Sequence, residues 1–326
     1  MRFEFPEGAT PLSDSSDLLI DWVQNMEDLN RVEAENIAQA QLKYLRRPIN
    51  DPSSWFRYSE LQTIHRAMFG KVWDWAGKPR KSVTSIGITP GLISVRMAEF
   101  CEEVTSWSKE PIELTFLEKS ARVHHCLVQI HPFENGNGRF SRLVADRCLL
   151  SWKCPHPTWP DNLYRKGITR QQYIESLKAA DKYDYRLLVA MMKDLGAADP
   201  DLGTLFQDHF YRSYIDGSRG LAKIRALLRT GGNPNDPTAN GHRALQLAIR
   251  AKIDHRTKFE ILKLLIEQGA EVDRSDKSNL TPFQVAVSLG EKDIATFLRS
   301  RGARPLAPPG TGYAKYYNLF QQLPPN

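Results

Sequence analysis

The chain has 326 residues, 41% of them hydrophobic and 25% charged, with a formal net charge of +6. That length allows two domains with a sizeable core, and no run approaches the ~18 apolar residues of a membrane-spanning helix. Residues Met1 to Pro6 lack the apolar stretch of a secretion signal, so no membrane partner is expected and the expected location is cytoplasmic.

The basic residues are scattered, with small clusters at Lys43, Arg46 and Arg47 and at Lys78, Arg80 and Lys81. No recognition-helix or RNA-binding pattern accompanies them, so nucleic acid is not an expected partner. The four cysteines, Cys101, Cys126, Cys148 and Cys154, have no CxxC spacing and read as reduced and structural.

In chain order, residues 16–47 read as helical from the three- and four-residue spacings of Leu18, Leu19, Trp22, Met26 and Leu29, with a second run holding Glu33 and Glu35. An amphipathic helix is expected over 57–76, with His65 as a packing histidine. The segment Arg80 to Ile88 breaks this periodicity, alternating β-branched residues with hydroxyls before a turn at Thr89, Pro90 and Gly91. Further helices are expected over 96–109 and 114–130, the second leading into His131. A proline-rich loop over 154–160 then precedes a helix carrying Tyr173.

The stretch from His131 to Arg142 reads His-Pro-Phe-Glu-Asn-Gly-Asn-Gly-Arg-Phe-Ser-Arg, the grammar of an anion site. Gly136 and Gly138 let the backbone turn its amides toward one point, and those amides become the unpaired donors of the next helix start, which attracts phosphate. Arg139 and Arg142, at i and i+3, offer forked donors to different phosphates of one chain, and Asn137 adds a neutral donor. His131 is the side chain here that can accept a proton near neutral pH. Together these residues suggest base-assisted attack by a hydroxyl on a bound di- or triphosphate.

This stretch resembles the signature of the Fic/Doc family, His-Pro-Phe-x-(Asp/Glu)-Gly-Asn-(Gly/Lys)-Arg-x-x-Arg. It agrees at His131, Pro132, Phe133, Gly136, Asn137, Gly138, Arg139 and Arg142. It departs at Asn135, where the family has a magnesium-binding carboxylate and this chain has a neutral amide oxygen. The phrases around Phe5 to Leu12, Leu29 to Ile37, Met68 to Lys78 and Tyr173 to Tyr185 are similar to one branch, called mobile mystery protein B.

The resemblance implies a mainly α fold: a Fic-type helical domain with a small β-hairpin flap. It implies transfer of AMP from ATP, with Mg²⁺ near Asn135, to a Ser, Thr or Tyr hydroxyl of a protein. His131 would be the base, Arg139 would hold the leaving pyrophosphate and Arg142 the γ-phosphate. Asn162 and Tyr173 would border the base pocket, and the flap residues Ser82, Val83, Thr84, Ser85 and Ile86 would dock the target protein. An inhibitory helix is implied as well, with Glu33, or second Glu35, pairing with Arg142. The alternatives are phosphate, other nucleotide or phosphocholine transfer by the same site, and an ankyrin interaction protein whose Fic domain is inactive.

Beyond Asp199 three similar phrases recur, aligned on Gly232, Gly269 and Gly302, the last two 33 residues apart. With Thr281-Pro282-Phe283-Gln284-Val285-Ala286, they resemble ankyrin repeats, an α-solenoid fit to hold a protein partner. The division expected is a Fic domain over 1–200, a connecting helix over 201–218, repeats over 219–305 and a Pro/Gly-rich tail over 306–326.

Overall fold

The computed structural model describes residues 17–23, 25–46, 49–107, 112–160, 163, 168–206, 217–238 and 240–304. They pack as two units, one formed by the residues up to 107 with 116–199, the other by 112–115 with the residues from 200 onward. Both are helical. The one strand-like feature among the described residues is an isolated antiparallel bridge between Leu18 and Trp73.

In the first unit, α1 spans Met26–Leu45. It starts later than the apolar spacing suggests, because the Asn25 side chain accepts the Asp28 N–H at 2.9 Å and Glu27 and Asp28 then occupy the positive end of the helix. Leu19 and Trp22, read as part of the helical stripe, are exposed. The buried stripe is Leu29, Glu33, Asn36, Ala40 and Tyr44, so two polar groups are carried into the interior on an otherwise apolar face.

Helix α2, Tyr58–Phe69, buries Leu61, Ile64, His65, Met68 and Phe69. It stops short of residue 76 at Gly70, where a Cβ would lie 2.6 Å from the Arg66 carbonyl oxygen, and the following turns bury Val72, Trp73 and Trp75. Helix α3 is Ile93–Ser106, α4 Phe116–Ile130, α5 Asn137–Ser151, α6 Ile168–Ala180 and α7 Arg186–Asp194. Helices α4 and α5 lie against each other, pinned by the Ser120 hydroxyl donating to the Ala145 carbonyl at 3.1 Å. The turn joining them carries the motif, so it sits on the best-packed pair of the unit.

No strand forms over 80–88, where a β-hairpin is expected. The guanidinium of Arg80 takes the Ser82 and Ile88 carbonyls that a ladder would use, and a side chain that satisfies backbone groups competes with regular pairing. The segment is tied instead to the motif turn, through Arg80 N–H to the Pro132 carbonyl at 2.9 Å and Ile88 N–H to that of Ile130 at 3.4 Å.

In the second unit, α8 is Leu202–Phe206, α9 Gly217–Arg229, α10 Ala244–Arg250, α11 His255–Glu267, α12 Pro282–Ser288 and α13 Lys292–Ser300. Of the connecting helix expected over 201–218, α8 covers 202–206 and α9 begins at 217, while 207–216 lie outside the described residues, as does the tail over 306–326. Leu202, Phe206, Ile224, Leu245, Ile261, Phe283 and Leu298 share one continuous core. Thr281 and Gln284 close a capping box at the start of α12, with Pro282 at the first helical position.

The repeats align structurally on Gly231, Gly269 and Gly302, with φ of 94°, 90° and 93°. The N–H groups that follow, of Gly232, Ala270 and Ala303, reach back to the carbonyls of Leu227, Leu265 and Leu298. This is the Schellman closure that a left-handed residue after a helix permits. It moves the first glycine of the alignment from Gly232 to Gly231.

Candidate active site

Helix α4 cannot continue through Pro132, which has no N–H, and the residue before a proline is pushed out of the right-handed helical region. His131 takes φ 53°, and not the extended conformation usual before proline; this left-handed conformation costs a non-glycine residue roughly 1–3 kcal/mol and persists only where its surroundings hold it. Its Nδ1 lies 3.2 Å from the Val128 carbonyl. A carbonyl can only accept, so Nδ1 carries the proton and the basic lone pair is on Nε2. Burial lowers the imidazole pKa to about 4, opposed by the Val128 bond and helped by the nearby Arg80 cation. The ring is neutral at pH 7.

Beneath the turn lies an aromatic floor. Phe133 stacks on His65 at 3.7 Å and meets Phe140 edge-on at 5.1 Å. His65 is fully buried, and burial lowers its pKa to about 3. It accepts the Gly77 N–H on Nδ1 at 3.0 Å, so its Nε2–H donates to the Asn135 carbonyl at 3.1 Å. This packing histidine is a strut between the end of the α2 region and the motif turn.

Gly136, at φ 77°, is the N-cap of α5. A Cβ there would lie 2.4 Å from the Phe69 ring and the conformation is left-handed, so the position demands glycine on both counts. At Gly138 a Cβ would meet nothing closer than Arg142 at 3.7 Å and the Tyr173 hydroxyl at 4.0 Å. The missing side chain there leaves open space in front of those two groups. The N-terminal amides of α5 point out of the helix end, as an anion requires.

Arg139 reaches Glu33 of α1 at 2.5 Å and lies over the Phe69 ring at 4.7 Å. The other Glu33 oxygen accepts the Trp73 indole N–H at 2.7 Å. Arg142 is buried between the rings of Tyr173 and Trp159, at 5.6 and 5.8 Å, and donates to the Tyr173 hydroxyl at 3.4 Å. Tyr173 also meets His124 Nε2 at 2.9 Å. Asp146, one turn beyond Arg142, takes the Trp159 indole N–H on both oxygens at 3.1 Å. Burial raises its carboxyl pKa to about 8, against the pull of Trp159 and Arg142.

A neutral imidazole thus precedes, by six residues, a helix start that carries two arginines. Residues 55–149, which contain all of this except α1, Trp159 and Tyr173, match the Fic/DOC family, and residues 217–308 match ankyrin repeats in three copies. The chain carries a Fic/DOC family domain followed by ankyrin repeats. A protein adenylyltransferase Fic of Aedes aegypti is 29% identical over 170 residues, 50% of this chain and 32% of that protein. Protein adenylyltransferase fic-1 of Caenorhabditis elegans is 28% identical over 116 residues, 35% of this chain and 22% of that one. The chain spans about a third of the length, or less, of such curated relatives. Among solved structures, the BepC protein of Bartonella tribocorum with bound AMPPNP aligns at a TM-score of 0.44 and 15% identity, covering 60% of this chain and 97% of that one. The likeness to the mobile mystery protein B branch rests on sequence phrases alone.

Gly136, Gly138, Arg139 and Arg142 lie at the start of α5, His131 opens the turn before it, and Tyr173 meets Arg142. Asn137 does not act as the expected donor: its carboxamide accepts the Phe133 N–H at 3.0 Å and donates to the Phe133 carbonyl at 2.7 Å, so both arms close the turn. Glu33 pairs with Arg139, where the resemblance implies Arg142, and Glu35 is exposed. Asn162 lies outside the described residues. The flap residues Ser82, Val83, Ser85 and Ile86 are exposed, while Thr84 is half-buried.

The magnesium expectation meets a donor set that does not match it. The Asn135 side-chain oxygen accepts the Gly136 N–H at 2.6 Å. The neighbouring carboxylate, Glu134, is bonded to the Lys81 N–H at 3.0 Å and the Ser82 hydroxyl at 2.6 Å. A hard dication prefers charged oxygens directed at it, and among the described residues no cluster of three His, Cys, Asp or Glu could hold one.

Sequence reasoning missed Arg80, His65, Trp73 and Asp146 as parts of the site. Asp146 had a signal, its i+4 spacing from Arg142. Arg80 had only its place in a basic cluster that reads as surface.

Proposed function

We propose that the Fic/DOC domain is a protein adenylyltransferase. The target's Ser, Thr or Tyr oxygen attacks the α-phosphorus of ATP, the bond to the β-phosphate oxygen breaks, AMP is left on the protein and pyrophosphate departs. His131 Nε2 takes the hydroxyl proton. The amides at the start of α5 receive the charge that builds on the transferring phosphate, and Arg139 and Arg142 hold the departing phosphates. Most of the acceleration is positioning and charge stabilisation.

The observation that carries this reading is the tautomer of His131: with Nδ1–H bonded to Val128, the lone pair a base needs is on Nε2. The names of the relatives, which call those proteins adenylyltransferases, support the choice of reaction. The chain's target is a protein whose extended segment lies along residues 82–86, where backbone bonding gives grip with little side-chain readout. The ankyrin unit supplies a second protein contact. Mg²⁺ would arrive with the nucleotide, and no step here depends on it.

The proposal includes autoinhibition. Glu33 occupies one guanidinium that the phosphates need, so ATP competes with an internal carboxylate. Incubating the chain with target lysate and ATP labelled at either the α- or the γ-phosphate tests the reaction. Protein-bound α-label supports adenylyl transfer, γ-label alone means phosphate transfer, and neither label leaves the ankyrin unit as the functional part.

A further inference from the structure

Arg80 is a buried cation, 2% exposed, with no carboxylate in its hydrogen bonds. Its Nε donates to the His131 carbonyl at 2.6 Å, Nη1 to the Ser82 carbonyl at 2.7 Å and Nη2 to that of Ile88. Its own N–H donates to the Pro132 carbonyl at 2.9 Å. One residue therefore grips both peptide groups around the strained His131–Pro132 junction and both ends of the 82–88 segment. Burying a charge is expensive unless it is fully bonded, and packing would be satisfied by an apolar residue of similar length. What an apolar residue could not supply is the fork that orients several carbonyls at once.

Gly87 sits on the other side of the same junction, at φ 117°, where a Cβ would lie 2.6 Å from His131 Cβ and 2.7 Å from Arg80 Nη2. The segment is pressed onto the histidine so closely that only glycine fits. Glu134 closes the arrangement by holding Lys81 and Ser82.

We propose that Arg80 is a positioning residue that holds the His131 backbone in its left-handed conformation and fixes the target-docking segment over it, so that base and acceptor hydroxyl share one frame. The inference rests on the reading of His131 as the base. The Arg80 side chain donates to backbone carbonyls alone. Its loss moves the base relative to the acceptor and leaves the phosphate groups of α5 in place.

The test uses the full chain bearing Glu33→Ala, with and without Arg80→Met or Arg80→Lys, and Gly87→Ala as a separate perturbation that keeps Arg80. For Arg80→Met the turnover number is expected to fall roughly 100-fold, the loss that about 1 Å of misplacement brings, with ATP affinity by calorimetry changed less than about twofold. Lysine, a point charge without the fork, is expected to restore only part of the turnover. ¹⁵N NMR of the imidazoles reads His131 directly. Its apparent pKa is expected to rise toward 6.5 in Arg80→Met, because a neighbouring cation is removed and the lifted segment admits water, both of which favour the charged ring. Gly87→Ala is expected to raise it too.

An unchanged His131 titration and unchanged turnover in folded Arg80→Met would overturn the proposal, as would full rescue by lysine. Equal loss of ATP affinity and turnover would overturn it as well, since that marks a general structural role. If Arg80→Met does not fold, the lysine and Gly87→Ala variants decide by the same readouts. Because the NMR titration needs no turnover, a failure of the adenylyltransferase reading would show separately, as absence of protein-bound α-label with Glu33→Ala alone, and a failure of His131 as base as undiminished transfer by Glu33→Ala/His131→Ala.

Discussion

Replacing Glu33 by alanine removes the carboxylate that meets Arg139. The carboxylate is 6% exposed, bonded to Arg139 at 2.5 Å and to the Trp73 indole at 2.7 Å. A hydrogen bond to a charged group contributes about 1.5–3 kcal/mol, and if ATP phosphates use Arg139, as proposed, they must displace this one first. At about 1.4 kcal/mol per tenfold, the variant is expected to bind ATP roughly 10- to 150-fold more tightly. It should also be less stable without ligand, since the partly buried Arg139 and the buried Trp73 N–H lose their shared acceptor. ATP should raise its Tm more than that of the parent, because ligand bound only to the folded state stabilises by mass action. Calorimetric titration and melting curves with and without ATP measure both effects. A double-mutant cycle should show Glu33 coupled to Arg139 and not to Arg142, and Glu35→Ala, at an exposed position, should change nothing. An unchanged ATP affinity in Glu33→Ala would show that Glu33 does not compete with the phosphates.

Other outcomes follow from the same geometry. Because only neutral His131 can act as base and its pKa is lowered to about 4, turnover should stay flat as pH falls from 7 to about 5 and be halved near 4; an acid limb near 6.5 would contradict the burial of the ring. His65, His124 and His131 all have folded pKa values of about 3 to 4, so the unfolded chain takes up protons first and stability should decline as pH drops below 6.5, by denaturant melts. Gly136→Ala, with φ 77° and a Cβ 2.4 Å from Phe69, should cost roughly 2–3 kcal/mol and loosen ATP binding. Asp276→Asn should destabilise the ankyrin unit by about 1.5–3 kcal/mol in a melt, since this buried carboxylate receives Arg250 at 2.8 Å and His242 at 3.1 Å. Asn135→Asp should tighten Mg²⁺ dependence of ATP binding by adding a charged oxygen.

The sequence made the helices and the motif legible, because a 3.6-residue apolar period and a glycine-bracketed turn are local properties. Helix ends were harder. Nothing in the apolar spacing of Leu18 to Leu29 shows that Asn25 caps the helix and sends Leu19 and Trp22 outside. The 80–88 segment reads as strand from its β-branched residues, yet a distant consequence of its first residue, the Arg80 fork, takes the carbonyls a ladder needs. The same limit explains Glu33: sequence brings a glutamate to the right helix, but whether it meets Arg139 or Arg142 depends on how α1 crosses α5. Asn137 shows the reverse case, a motif position whose presence is correct and whose side chain serves the turn in place of the ligand. Gly231 and Gly232 are indistinguishable as letters, and only φ picks the one that ends the helix.

Single-turnover transfer of α-phosphate label from ATP to protein, comparing Glu33→Ala with Glu33→Ala/His131→Ala at pH 7, tests whether His131 is the base. Label transfer is expected from the first and a loss of at least about 100-fold in the second, with ATP still bound by both. Equal transfer by the two proteins, or ATP binding that disappears with the imidazole, would contradict that role.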